Sequence, residues 1–310
     1  MNAPLRDIAV IGELLNHSFQ RARRAWESRS LEGYIALARL QKEAGASFLT
    51  VNLAGTQSLQ VPFQEQLEFL DRLVPALQEQ VDLPLSFDSP DIEYHRRALR
   101  LYDRSRARGE APIVNSLAAS RAALDDWIAL VRESDARVIV MASEGFGSDG
   151  ESRPNRSPAE VHATARCFVE RLVEEGGRSP GQVIVDPGLV PLAADTQGFT
   201  NQSLDAIALI AGDRHIHGVH ISVGLTNFSF GLPKGIRLPL ENALLTLAAH
   251  AGLDMVLGNP EKHHHILHGD DPTLRGLEKA LSVGRPARGQ DPEEAGYATL
   301  LAVRALYRPQ

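Results

Sequence analysis

The chain has 310 residues, 43% hydrophobic and 23% charged, with a formal net charge of −7. That much apolar material supports a large core and excludes a disordered chain. Its Lys and Arg are scattered apart from Arg21, Arg23 and Arg24, which argues against a nucleic-acid partner, and its single cysteine, Cys167, allows neither a disulfide framework nor a thiolate metal site.

In chain order, β-like runs are predicted at residues 8–11, 48–53, 85–88, 113–115, 137–141, 183–185, 219–224 and 255–257. Helical patterns separate them, the clearest being the 3.6-residue recurrence of Phe63, Leu67, Leu70, Val74 and Leu77. Pro75 within that set predicts a kink or an early end. Ser89-Pro90 and Ser157-Pro158 each set a capping serine before a proline at the first helical position, and Ser157 to Glu160 reads as a capping box. Gly45, Gly176 and Gly212 are stop signals. Residues 291–307 read as a C-terminal helix beyond a linker at 284–290, giving a barrel over 1–283 and a linker with a helix packed on it over 284–310. The opening MNAPLRDIAVIGELL has no apolar run of signal-peptide length and no stretch could span a bilayer, so the cytoplasm is the expected compartment.

Eight strands alternating with helices over roughly 260 residues match an α/β fold of the (β/α)8 TIM-barrel type. A doubly wound open sheet competes, weakened because no Gly-rich phosphate loop follows the first strand, which continues Gly12-Glu13-Leu14-Leu15-Asn16.

Barrel chemistry sits at the C-terminal strand ends. Those ends carry Glu13 and Asn16, Asn52, Asp88, Asn115, Asp186, Asn227 and Asn259. The set has no His, Lys or Cys, which argues against a nucleophile, a Schiff base or a His-rich metal centre. Amides and carboxylates suit a flat heterocycle with adjacent N–H donors and a carbonyl, as on a reduced pterin. Singly, each residue reads better as a turn former or helix cap; six or more successive strand ends together favour a site.

From Ile8 to about Pro260 the chain resembles the pterin-binding methyltransferases that act on methyltetrahydrofolate with a corrinoid protein, including the folate module of cobalamin-dependent methionine synthase. The matching phrases are IGELLN (11–16), VNLAG (51–55), FDS (87–89), VNS (114–116), VDPGLVP (185–191), GLTNFSFGLP (224–233) and GLDMVLGNP (252–260). The resemblance implies a dihydropteroate-synthase-like pterin-binding barrel in which Asp88, Asn115 and Asp186 hold the pterin ring and Asn227 reaches its N5. It further implies tetrahydrofolate or 5-methyltetrahydrofolate as substrate, cobalamin carried by a partner protein, no metal held by this chain, and a homodimer. Thr50 stands where that family often has an acidic residue.

Dihydropteroate synthase itself is the nearest alternative, and GESRPN (150–155) superficially resembles its GESTRPG loop. That loop belongs after the second strand, whereas this phrase follows the fifth, and the seventh strand lacks the Gly-x-Ser-Arg-Lys of the synthase. No cationic group is read at the strand ends to hold leaving pyrophosphate. DRHIHG (213–218) fits a cobalamin-binding signature but falls between a helix and the seventh strand, and is read as coincidence. EKHHHILHG (261–269) is read as a solvated helix start rather than a metal site, and residues 143–158 as an exposed polar loop rather than a lid or a docking surface. A third possibility is a pterin-binding subunit without catalysis.

Overall fold

The computed structural model describes residues 3–4, 7–57, 59–147, 149–285 and 291–306. Eight parallel strands close into a barrel: β1 (Ala9–Asn16), β2 (Phe48–Asn52), β3 (Leu85–Asp88), β4 (Ile113–Leu117), β5 (Arg137–Met141), β6 (Val183–Asp186), β7 (His220–Gly224) and β8 (Met255–Gly258). Each neighbours its predecessor in sequence, and β8 pairs with β1 through Met255 opposite Ala9 and Gly258 opposite Gly12. The open-sheet alternative is thereby excluded. Inside the barrel, Ile11, Phe48, Ile113, Ile139, Ile184 and Met255 form a packed plug. Branched residues suit this interior because the pleat sends alternate side chains inward and the space must be filled.

The helices α1 (Gln20–Glu27), α2 (Leu31–Glu43), α3 (Phe63–Gln80), α4 (Ile92–Leu101), α5 (Leu124–Ser134), α6 (Pro158–Glu174), α7 (Phe199–Gly212), α8 (Leu225–Ser229), α9 (Lys234–Ala251), α10 (Pro272–Val283) and α11 (Pro292–Ala305) complete the chain. Helix α11 packs against α10 and the 3-10 turn Leu192–Ala194. Of the predicted linker, residues 286–290 lie outside the described residues. No described helix is long and apolar enough to cross a membrane.

Several local expectations are corrected. Helix α3 runs through Pro75 to Gln80, which overturns the early end. Pro75 and Asp71, whose carbonyl loses its i+4 donor, are both on the half-exposed side of the helix. Ser89 does not cap α4: the cap is Asp91, which accepts from the Glu93 amide, while Ser89 accepts from the Asp91 amide. Ser157 caps α6 as predicted, but the Glu160 carboxylate reaches back to the Arg156 amide instead of closing the box. The predicted loop after β5 contains a two-stranded antiparallel hairpin, Glu144–Phe146 with Ser152–Pro154.

Candidate functional site

The first strand is longer than its sequence pattern suggests because it contains a bulge. Its register against β2 slips between Gly12 and Leu15, then resumes with Asn16 opposite Asn52. The extra residue leaves a ladder amide without a strand partner; Leu14 N–H instead donates to the buried Gln41 Oε1 at 2.9 Å. A Cβ on Gly12 would sit 2.5 Å from that oxygen, so any larger residue there displaces the Gln41 amide. The bulge leaves Glu13 buried, with Oε1 accepting from the Thr226 hydroxyl at 2.5 Å. Burial pushes the Glu13 carboxyl up to about 7 against the opposing Thr226 hydrogen bond and the nearby Lys262 charge.

Next around the barrel, Asn52 Nδ2 donates to Asp88 Oδ2 at 2.9 Å, while Asn52 Oδ1 accepts from Ala54 N–H. Asp88 stands opposite the buried Asn115 in the β3–β4 register. Burial raises the Asp88 carboxyl above the usual range, and the Asn52 hydrogen bond and the Arg121 charge oppose the rise.

Beyond β5, a cavity of about 280 Å³ opens at the C-terminal ends of β5 to β7. Asp186, Asn227, Gly224, Ser143 and Asn155 contribute to its wall. Asp186 Oδ1 accepts from Gly188 N–H at 2.7 Å, and burial lifts its carboxyl to about 6. Asn227 is not on the strand: β7 stops at Gly224 and the chain turns into the five-residue α8. Its side chain is exposed, and none of the described residues hydrogen-bonds its carboxamide. A larger cavity, about 480 Å³, lies at the opposite face among Asp7, Phe48, Arg137, His220 and Asp254. These are at strand starts, where a barrel contributes stability rather than chemistry.

Two expected site residues serve as local caps. Asn16 Oδ1 accepts from Ser18 N–H at 2.8 Å, and Asn259 Oδ1 accepts from Glu261 N–H at 3.0 Å. Asn115 stands on β4, next to β5, and Asp88 one strand further round on β3; neither is part of the wall of the Asp186–Asn227 cavity.

The expectation of no cation near the strand ends is wrong in two places. Arg121, four residues past β4, acts on Asp88 through its charge, donates to Ser116 O at 3.0 Å and lies over the Trp127 ring. Lys262 approaches Glu13 and pairs with the fully buried Glu241. The His-rich phrase is equally unlike a solvated helix start, since His264 is buried and donates from Nε2 to Glu241 Oε2 at 2.8 Å. DRHIHG spans a 3-10 turn, where Asp213 caps His215 N–H and pairs with His162 of α6.

Sequence reading also missed Asn155. Its Nδ2 donates to Ala142 O at 2.8 Å and to Thr164 Oγ1 at 2.9 Å, holding the hairpin against the barrel rim. The Gly-rich turn Gly147 to Gly150 was the available hairpin signal.

Residues 12–258 match the family model described as pterin binding enzyme. The chain belongs to the pterin binding enzyme family. A methylcorrinoid:tetrahydrofolate methyltransferase of Eubacterium limosum is 28% identical over 289 residues, covering 89% of this pterin binding enzyme and 97% of the relative. Among solved structures, the dihydropteroate synthase of Thermus thermophilus aligns at a TM-score of 0.57 with 19% identity, covering 91% of this chain and 98% of that one. A Yersinia pestis DHPS with a pterine-sulfa conjugate aligns at 0.58 and 16% identity, covering 98% and 96%. At those identities the solved structures establish the shared barrel fold of this pterin binding enzyme.

Proposed function

We propose that this pterin binding enzyme transfers a methyl group between N5 of tetrahydrofolate and the cobalt of a corrinoid carried by a separate protein. The observation that carries the reading is Asn227, an exposed, uncharged amide in a cavity it shares with half-buried Asp186 and with no Lys, Arg or His among the described lining residues. Breaking the N5–methyl bond returns an electron pair to N5, and a tertiary amine leaves poorly unless N5 is protonated. The Asn227 carboxamide oxygen accepts a hydrogen bond from that N5–H and stabilises the developing charge pattern without acting as a base. In the reverse direction the same oxygen accepts from the N5–H of tetrahydrofolate while the N5 lone pair takes the methyl group.

Asp186 accepts from adjacent ring N–H donors, and Asp88, oriented by Asn52 and flanked by Asn115, holds a further ring edge. Glu13, Asn16, Asn52 and Asn259 complete the rim. The name of the Eubacterium limosum relative pairs a methylcorrinoid with tetrahydrofolate, which supports this substrate pair and the methylcorrinoid as donor. A cytoplasmic homodimer joined through outer helices belongs to the same reading; sedimentation of the purified protein tests the dimer.

A dihydropteroate-synthase-type reaction is the second reading, favoured by the Arg121 cation beside Asp88. The deciding experiment is anaerobic spectrophotometry with methyltetrahydrofolate and photoreduced free cobalamin, and with tetrahydrofolate and methylcobalamin. Interconversion of cob(I)alamin and methylcobalamin supports the proposal. Pyrophosphate release from a pterin pyrophosphate instead supports the second reading, and tight folate binding without turnover even with corrinoid proteins supports a non-catalytic subunit.

A further inference from the structure

We infer that Glu241 is a positioning residue whose buried carboxylate fixes α8 and thereby presents Asn227 to the cavity. The inference rests on the role proposed for Asn227. Glu241 is 0% exposed on α9, yet carries an acid that is expensive to bury unless paired. Three side chains from two segments converge on it. The Ser229 hydroxyl, at the end of α8, donates to Oε1. Lys262 Nζ, from the 3-10 turn Pro260–Lys262 after β8, donates to Oε1 at 2.7 Å and to Oε2 at 2.9 Å. His264 Nε2 donates to Oε2 at 2.8 Å. Burial pushes the carboxyl up, but these hydrogen bonds outweigh it and hold the group down at about 2.

A leucine could fill the same volume but could not draw a hydroxyl, an ammonium and an imidazole to one point. Helix α8 needs such ties because five residues cannot hold a helix by propensity. Its first turn is tied through Thr226 to Glu13 on β1, and its last residue through Ser229 to Glu241 on α9. Asn227 lies between the two ties with its carboxamide free for substrate. Gly224 leaves room for that amide, since a Cβ there would stand 3.2 Å from Asn227 Nδ2. Misplacing a reacting contact by about 1 Å costs on the order of 100-fold in rate, so fixing α8 matters for the chemical step more than for holding the ring.

Ser229→Ala tests this with least disturbance, because it removes one tie and leaves the Glu241–Lys262–His264 cluster intact. Steady-state methyl transfer from methyltetrahydrofolate to cob(I)alamin, with folate Kd by calorimetry, supplies the readouts. The expected result is a kcat lowered about tenfold with a folate Kd within about threefold of wild type. Glu241→Gln, which keeps an acceptor for Ser229, is expected to retain more kcat than Glu241→Leu; if the leucine variant does not fold, Ser229→Ala decides alone. A wild-type kcat in Ser229→Ala, whatever its melting temperature, overturns the inference. Absence of turnover by the wild-type protein with free cobalamin and with corrinoid proteins alike overturns the methyl-transfer reading, and this inference with it.

Discussion

Asn52 donates from Nδ2 to Oδ2 of Asp88 at 2.9 Å, so the second strand aims the carboxylate of the third. The same amide is anchored by Ala54 N–H on its oxygen, which fixes the orientation of its NH2. Asn52→Ala removes this aim and one opponent of the burial that raises the Asp88 carboxyl. Folate affinity at pH 7 is expected to fall about tenfold, equivalent to ~1.4 kcal/mol; titration calorimetry reads it, and an unchanged Kd would show that Asp88 needs no help from β2.

Asn227→Ala is expected to slow methyl transfer by about 100-fold or more while folate Kd changes by less than about threefold, the signature of a contact made in the transition state. Loss of binding with an unchanged chemical step, seen in single-turnover absorbance traces, would refute the role given to this amide.

Gly12→Ala sets a methyl group against Gln41 Oε1, and moving that amide aside takes the acceptor away from Leu14 N–H. The expected cost is about 2–4 kcal/mol, combining overpacking with an unsatisfied buried amide. Urea unfolding measures it directly; a cost below about 0.5 kcal/mol would mean the bulge relaxes freely.

The ligand-free protein should lose stability toward alkaline pH. The folded-state carboxyls of Glu13 and Asp186 stand at about 7 and about 6, above their ordinary values of 4.5 and 3.8, so the folded state holds more protons than the unfolded chain across that range. Their contribution is fully present below the ordinary values and is lost as pH rises through the raised ones. Glu241 acts oppositely, its contribution present above 4.5 and lost as pH falls toward 2. Melting temperatures across pH 3–9 should peak near about pH 5, and Glu13→Gln should flatten the alkaline limb. An alkaline limb as steep in Glu13→Gln as in wild type would assign the decline to other groups.

Eight strands and their order were legible because each is a short apolar run bracketed by helical patterns, and the ends carrying Asp88, Asn115 and Asp186 are where strand pairing places them. The β1 bulge was not legible: its cause is a buried glutamine on α2, 27 residues away in sequence from the amide it satisfies. Asn227 reads as the tail of a strand because β-branched and apolar residues lead into it, yet the strand stops at Gly224. Lys262 and His264 looked solvated because nothing local announces Glu241, an acid inside the apolar pattern of α9, as their partner. Arg121 was missed for a similar reason, since its influence on Asp88 passes between strands rather than along the chain.

Because Asn227 rides on α8 rather than on β7, the residue facing the nitrogen is decoupled from barrel register. Exchanging residues 225–229 leaves the strand pairing of Ser222, Val223 and Gly224 with β8 untouched. The segment is therefore a replaceable cassette at the mouth of a fixed vessel. A graft that keeps Thr226 and Ser229 as its two fasteners, with Leu225 and Phe228 in the core, can change the group offered to the ring while the rest of the wall stays as it is.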